Sequence, residues 1–335
     1  MVTLKDIAEA AGVNITTVSK ALSGSEDIRR ETANRICEIA HNLGYVRRKR
    51  KNSSETTNII GVICPEFMSS YYSRILTVLV SKLDKCGFDS FFAMSEYDFN
   101  RELALIKKYS EKRFAGIVCI TEKKDLSAFL RKSDIKDLMP IVQIAMNVST
   151  GEIDNICVDE RIGIEYAVDH LLSLGHTNIA FLGDEYGEER LSFLKDYMRE
   201  QNITLPEENI LISRNRNMEC GYELAGKLLR LERRPSAIVA EYDDIALGAI
   251  RRITEAGLKI PDDISVIGFD DSNYCAYLPT ALTTISSKTE EICEIAVETL
   301  VKKIEDPGYK VVKNILIKSD LVIRESTAKF RNLQI

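Results

Sequence analysis

The chain has 335 residues, 45% of them apolar, a formal net charge of −6 and eight cysteines. Such a length exceeds what one core usually organises, so two or three domains are expected, and the apolar content is enough to fill them. No apolar stretch approaches the roughly 18 residues a membrane span requires, no secretory signal opens the chain, and no CxxC pair occurs. These features exclude a membrane span and a disulfide scaffold, and predict buried free thiols in a reducing cytoplasm.

Charge is divided unevenly along the chain. Residues 1–51 hold ten Lys and Arg against six acids, a net of +4, so the remainder carries −10 of the total of −6. A basic head on an acidic body suits a protein of which only the head approaches a polyanion. A solvated basic helical head would have the same charge.

The most specific stretch runs from Thr3 to Leu22, TLKDIAEAAGVNITTVSKAL, and reads as two short helices joined by a three-residue turn. Thr3 is placed to cap the first helix with Asp6 completing a short-armed capping box, and Leu4, Ile7, Ala8 and Ala11 form an apolar stripe at helical spacing. Gly12 ends that helix in a left-handed conformation, and Asn14 caps the second. Val18 and Leu22 then face inward. Ile15, Thr16, Thr17, Ser19 and Lys20 fall near the exposed start of helix two, where a helix-turn-helix meets base edges in the major groove. A helical hairpin inside some core is the other reading of the spacing. A third helix is predicted over Ile28–Leu43, with Ile28, Thr32, Ile36, Ile39, Ala40 and Leu43 on one face and Gly44 as its terminating glycine.

These residues resemble the lactose-repressor and galactose-repressor (LacI/GalR) family of bacterial transcription regulators. The matching pattern is Leu4-Lys5-Asp6-Ile7-Ala8, Ala11-Gly12-Val13, Thr17-Val18-Ser19, Glu31-Thr32 and Leu43-Gly44-Tyr45. The resemblance implies a DNA-binding domain over residues 1–45, in which Ile15, Thr16 and Lys20 are the specificity positions and Thr3, Asn14, Thr17 and Ser19 complete the DNA-facing set. Lys20 stands where the family commonly has Arg, and an ammonium lacks the forked contact to guanine.

Residues 46–58 read as a linker, basic first and then rich in Ser, Glu and Thr. In the family this segment usually carries a hinge helix whose Leu wedges into the minor groove. No such Leu occurs here, no Pro-Asn follows Tyr45, and the segment is about two residues short, so a strong kink is not expected. Arg47, Arg48 and Lys49 either follow the phosphates or belong to a solvated tether.

From Ile59 the chain alternates strand and helix. Apolar runs of strand length occur at Ile59–Cys64, Phe88–Ala93, Gly116–Ile120, Ile141–Ile144, Ile179–Leu182, Ala237–Ala240 and Ile264–Phe269. That rhythm predicts parallel sheets wrapped by helices, and its restart near Asp159 predicts two similar lobes. The resemblance continues through Glu160-Arg161-Ile162-Gly163, Leu174-Gly175-His176, Pro261-Asp262-Asp263-Ile264-Ser265 and Ile267-Gly268-Phe269-Asp270-Asp271. It implies an α/β body like a periplasmic sugar-binding protein over 59–330: one lobe of 59–157 with 287–316, another of 158–286 with 317–330, and a loose tail beyond Phe330.

Ligands of open parallel sheets bind at the carboxyl ends of the strands. The polar residues following the apolar runs are Glu66, Thr121, Asp184, Glu241, Tyr242, Asp243, Asp270 and Asp271. Acids converging there suit hydroxyl donors, although strand-end Asp is more often a turn or cap residue, and only Asp243 and Asp270 are kept as ligand groups. By resemblance Asp270 and Arg190 meet the effector, and we include Tyr71 in the set. Ala145 and Tyr242 stand where the family often has hydroxyl partners, whereas Arg216 lies near a position where some members stack an aromatic ring. Two guanidinium groups opposite two acids suggest a sugar acid or sugar phosphate; Arg216 as a surface loop residue beside a neutral sugar is the rival reading.

Catalysis finds little support, although a dispersed triad in an α/β enzyme is not excluded by one sequence. There is no GxGxxG after the first strand and no GxxxxGK[ST], and His41, His170 and His176 lack metal-ligand spacing, His176 reading as a loop or cap residue. No enzyme activity, cofactor or metal is expected. The reading is a sequence-specific repressor acting as a homodimer on near-palindromic double-stranded DNA, because one recognition helix spans too few base pairs for tight specificity.

Overall fold

The computed structural model describes residues 3–22, 28, 30–43, 56–121, 126, 138–145 and 151–331. It divides into two units, Met1–Glu55 and Thr56–Ile335.

In the first unit, α1 (Leu4–Ala11) starts on Thr3, whose side-chain oxygen accepts from the Asp6 amide at 3.4 Å while the Thr3 amide donates to Asp6 Oδ2 at 2.7 Å. Those bonds hold the Asp6 carboxyl below its ordinary range. Gly12 ends the helix at φ 64°, and Asn14 Oδ1 accepts from the Thr17 amide at 2.8 Å to open α2 (Ile15–Leu22). α3 (Arg30–Asn42) completes a core of Ile7, Ala8, Ala11, Val18, Ala21, Ile36 and Ala40. Leu43, expected on the inner face of that helix, is 40% exposed, because α3 stops one residue before it. Gly44 and the basic linker residues Arg47, Arg48 and Lys49 lie outside the described residues, as do the side chains of Ser19, Leu22 and His41 and the tail 332–335.

The second unit starts at Thr56. The Thr57 amide donates to the Arg113 carbonyl at 2.8 Å and the Asn58 carbonyl accepts from Asp89 at 2.9 Å, so residues 57 and 58 are anchored to the body. Two six-stranded sheets follow. The first contains β1 (Ile59–Cys64), β2 (Asp89–Met94), β3 (Gly116–Thr121), β4 (Ile141–Ala145), β5 (Asp154–Asp159) and β11 (Asn314–Lys318). The second contains β6 (Ile179–Asp184), β7 (Ile210–Ser213), β8 (Ala237–Ala240), β9 (Ser265–Asp270), β10 (Thr283–Ser286) and β12 (Asp320–Val322).

Their orders, β2-β1-β3-β4-β5-β11 and β7-β6-β8-β9-β10-β12, are the same, and every pairing is parallel except β10 with β12. Around them lie α4 (Ser70–Lys85), α5 (Phe99–Glu111), α6 (Glu160–Ser173), α7 (Glu188–Glu200), α8 (Asn217–Leu228), α9 (Asp243–Glu255) and α10 (Thr289–Glu305). The first sheet packs Val62, Val118 and Ile120 against α4 and α10 on one face, and Ile63, Ile117 and Cys119 against α5 on the other. Burial on both faces is why these strands read as continuous apolar runs.

Strands β5, β7, β10, β11 and β12 were not legible as such runs. β5 begins on buried Asp154 and Asn155, and β11 is an edge strand that alternates exposed and half-buried residues. β5 runs to Asp159 and β11 to Lys318. Six cysteines are buried as free thiols, but Cys37 and Cys86 are exposed. His176 lies, as expected, in the loop between α6 and β6. It is buried, its Nε2 pairs with the Ala328 carbonyl at 2.8 Å and its Nδ1 with Ser236 at 2.9 Å, so it ties down the carboxy-terminal segment.

Helices α8 and α9 touch through glycine. A Cβ on Gly248 would lie 1.9 Å from the Met218 carbonyl oxygen, and one on Gly221 1.8 Å from that of Ile245. Alanine gains about 1 kcal/mol over glycine inside a helix, whereas overpacking a contact of this kind costs about 3 kcal/mol. Gly248→Ala is therefore expected to destabilise the body by about 2 kcal/mol, visible as a lower urea midpoint; an unchanged midpoint would mean that the helices separate freely.

Candidate effector cleft and DNA-reading face

The carboxyl ends of both sheets face one cleft of about 770 Å³, its mouth included. It lies where the strand order reverses, with β1 between β2 and β3 and β6 between β7 and β8, which is where open parallel sheets bind ligands. Ile120, Ile144, Ala145, Val158 and Ile292 form an apolar wall. Tyr71 and Tyr72 enter from the first turn of α4, which Ser69 caps by accepting from the Tyr72 amide at 3.2 Å.

Arg190 stands in the first turn of α7 and is 7% exposed. Its Nε and Nη2 donate to the two oxygens of Glu160 at 3.0 and 2.6 Å, and Nη1 donates to the Glu241 carbonyl at 2.7 Å. Asp270 Oδ1 is 4.0 Å away, and Phe269 lies beneath the guanidinium with its ring centre 3.8 Å from Cζ. Burial works against the charge, but the Glu160, Asp270 and Glu241 carboxyls outweigh it and hold Arg190 protonated. The arginine expected to receive an anion is thus already paired. Glu160 was not among the expected site residues, since it follows a strand that the sequence did not reveal.

Asp270 ends β9 at φ 108°, followed by Asp271 at φ 53°. Two consecutive non-glycine residues at positive φ store strain, which the surrounding contacts must hold. Ser287 donates to Asp270 Oδ1 at 2.8 Å, and burial raises the Asp270 carboxyl well above its ordinary value, with Arg190 opposing and Asp243 adding to the rise. Asp243 does not line the cleft. It is fully buried, and its carboxylate accepts from the Ser272 amide at 2.7 Å and from Thr284 Oγ1 at 2.6 Å, tying the start of α9 to β10 and to the loop after β9. The sequence places it among the ligand groups, and in the structure its carboxylate is taken up by these two bonds.

Tyr242 lines the cleft. Its hydroxyl is committed, donating to Asp184 Oδ2 at 2.7 Å and accepting from the Asn217 amide at 3.0 Å. Arg216 is not a surface loop residue: it caps α8 and lines the cleft, with Cζ 4.5 Å from the Tyr97 ring centre and 4.7 Å from that of Tyr186. The structure therefore brings Tyr71, Arg190, Arg216, Tyr242 and Asp270 together and leaves Asp243 out. Tyr186, Glu160 and Ser287 come from loops and crossovers that carry no local signal.

The Glu241 carboxyl packs where neither Gly183 nor Gly187 has room for a Cβ, and Oε2 accepts from the Asp184 amide at 2.6 Å. Burial, and then the Asp184 charge, push it up to about 8, against the opposing Arg190 and Arg216. Between its ordinary value of 4.5 and about 8 the folded chain keeps this proton while the unfolded chain has lost it. Stability contributed through Glu241 is present at low pH and declines as pH rises through that window. Glu241→Gln is expected to flatten the fall in urea midpoint between about pH 5 and about pH 8. An undiminished fall would assign the slope to Asp243, pushed up to about 7 by burial, or to Asp270.

On the head, Ile15 is 48% exposed and Thr16, Lys20 and Asn14 are exposed, whereas Thr17 is half-buried. Asn14 with Thr17 and Thr3 with Asp6 each fasten the start of one helix, because Asn14 Oδ1 also accepts from Thr17 Oγ1 at 2.9 Å and Thr3 Oγ1 donates to Asp6 at 2.8 Å. Ile15, Thr16 and Lys20 remain as the outward group. Among the described residues no set of three or more His, Cys, Asp and Glu is arranged for a metal ion, and no helix is long and apolar enough to cross a membrane.

A three-helix head with a capped helix-turn-helix, and a body of two like sheets facing one cleft, define a DNA-binding regulator with a ligand-binding body rather than an enzyme. Residues 3–48 match the family described as bacterial regulatory proteins, lacI family, and residues 168–327 match a periplasmic binding protein-like domain. The HTH-type transcriptional repressor PurR of Mannheimia succiniciproducens is 31% identical over 338 residues, 98% of this chain and 99% of that protein. The chain belongs to the LacI family of bacterial transcription regulators. The lac repressor dimer bound to operator and the anti-inducer ONPF has the same fold, with a TM-score of 0.72 at 24% identity over 98% of this chain and 99% of that one. A LacI family regulator from Enterococcus faecium with bound ribose aligns with a TM-score of 0.69 at 25% identity, covering 82% of this chain and all of the other.

Proposed function

We propose that this protein is a sequence-specific transcriptional repressor that acts as a homodimer on a near-palindromic operator in the cytoplasm, with operator binding controlled by a sugar-like effector in the cleft. The cleft carries the reading: buried carboxyls at the strand ends, an apolar wall and tyrosine rings suit a hydroxyl-rich ligand. The Enterococcus relative was solved with ribose, and the lac repressor as a dimer on its operator. Exposed Met218 and Tyr222, four residues apart on α8, and Tyr277 at 87% exposure offer apolar surface for a second copy.

On the head, Ile15, Thr16 and Lys20 read bases while Thr3, Asn14, Thr17 and Ser19 support that face, and Arg47, Arg48 and Lys49 follow the phosphates. In the cleft, Tyr71, Arg190, Arg216, Tyr242 and Asp270 form the effector wall. Arg190, saturated by Glu160, positions that wall rather than receiving an anion. Arg216 supports a second reading, a sugar acid or sugar phosphate, because its guanidinium is the one whose donors Glu160 does not occupy.

Lys20→Ala is expected to weaken operator binding by ~1 to 3 kcal/mol with little change on random DNA, measured by fluorescence anisotropy on both duplexes. Equal losses on the two would reduce Lys20 to a phosphate contact. Any cleft ligand at a hundred times its Kd should stabilise the body by ~2.7 kcal/mol in a thermal-shift screen and change operator affinity in the same preparation. Stabilisation without an effect on operator binding would separate the cleft from regulation.

A further inference from the structure

Beside the cleft, two residues face each other from different lobes with buried hydrogen-bonding atoms left without partners. Glu66 follows β1 in the first lobe, Arg216 caps α8 in the second, and Arg216 Nη2 is 3.8 Å from Glu66 Oε1, too far for a hydrogen bond. Glu66 Oε1, Arg216 Nε and Arg216 Nη1 are buried, as is Oδ1 of the neighbouring Asn217, and none has a hydrogen-bond partner among the described residues. Asp184 Oδ2 stands 3.6 Å from Arg216 Nη1, but it already accepts from Tyr242. The guanidinium is not loose: Tyr97 of the first lobe and Tyr186 of the second stack at 4.5 Å with an interplanar angle of 28°, and Arg216 lies over both rings.

Buried polar groups of native proteins are seldom left unpaired, and such a concentration marks a place where something else completes the network. Its chemistry follows from the mixture of donors and acceptors. An oxyanion only accepts, so it would satisfy Arg216 and set like charge against Glu66 and Asp184. An ammonium only donates and would meet Arg216 with like charge. A hydroxyl donates and accepts, and satisfies both sides.

We propose that Glu66 and Arg216 form a hydroxyl subsite in which one hydroxyl of a neutral, polyhydroxylated effector donates to Glu66 and accepts from Arg216, so that the effector itself joins the two lobes. This rests on the reading of the cleft as the effector site. Two ordinary hydrogen bonds meeting at one oxygen span about 4.6 Å, so the lobes separate by just under about 1 Å to admit the hydroxyl and are then held by it. Glu66 and Arg216 keep 17% and 22% of their side-chain surface, which leaves them reachable by that movement. Both bonds are charge-assisted, and loss of either should weaken binding about 10- to 100-fold.

The test is thermal-shift titration of the full chain with neutral pentoses and hexoses, their uronic acids and their phosphate esters, followed by deoxy analogues of the best neutral sugar. The expected result is stabilisation by a neutral sugar, weakened about 10- to 100-fold in Glu66→Gln and in Arg216→Gln, with the double variant losing little more than either single one because both read the same group. One deoxy analogue should lose the same factor and be insensitive to both substitutions. Arg216→Lys, which keeps the charge without Nε, guards against a folding defect in Arg216→Gln and should also weaken binding. A neutral sugar held with unchanged affinity by both variants overturns the subsite and leaves the cleft reading standing. Stabilisation only by uronates or phosphate esters, preserved in Glu66→Gln, overturns it in favour of an anion on Arg216. No response to any sugar overturns the subsite and the cleft reading together.

Discussion

Burying a guanidinium at the meeting point of two lobes is tolerable only when its charge is met by geometry as well as by proximity. Arg190 achieves this through a forked pair with Glu160 and a third bond to the Glu241 carbonyl. Removing either partner of such a pair strands the other charge, at about 3 to 5 kcal/mol. The pair also joins places that are distant in sequence: the start of α6 just past the first crossover, the first turn of α7, the end of β8, and through Asp270 the end of β9. The cleft's floor is held in register by this one contact, and its charge is already balanced there.

That balance decides what the remaining groups are able to do. Five carboxyls, Glu66, Glu160, Asp184, Glu241 and Asp270, surround two guanidinium groups, and burial raises two of those carboxyls, Glu241 and Asp270. A site that drives its own acids toward the neutral form is a poor host for further negative charge. It offers instead many oxygens able to accept from hydroxyls, with the donors of Arg216 beside them. Recognition by alternating donors and acceptors discriminates strongly against ligands that lack a group, since the unmatched partner stays buried and unpaired.

The head is built on a different principle. Its helix ends are fastened locally, Thr3 with Asp6 and Asn14 with Thr17, and its core is seven small or medium apolar side chains. The polar residues most conspicuous at the start of α2 serve first as caps, which fixes the turn and leaves Ile15, Thr16 and Lys20 outward. In the body the equivalent rigidity comes from close approach, with α8 and α9 meeting at Gly221 and Gly248. Local capping and backbone contact both orient functional surface without relying on long flexible side chains.

The sequence by itself determined whatever depends on near neighbours or on burial of both faces. The capping pairs, Gly12 at positive φ and the seven apolar-rich strands each depend on residues within a few positions of one another, and each was readable from spacing. Tertiary structure alone decided the rest. β5, β10 and the two late strands are strands because a neighbouring strand accepts them, not because of their own pattern. Asp243 and Asp270 look alike in sequence, each following an apolar run, yet Thr284 and Ser272 draw Asp243 inward while Asp270 remains on the cleft. Arg190 and Arg216 likewise seemed equivalent until Glu160, 30 residues from one of them, was found to occupy Arg190 and Glu66 to face Arg216. Pairings between carboxyls and guanidinium groups so far apart along the chain are set by the order of strands in the sheets, and no local pattern of residue types encodes that order.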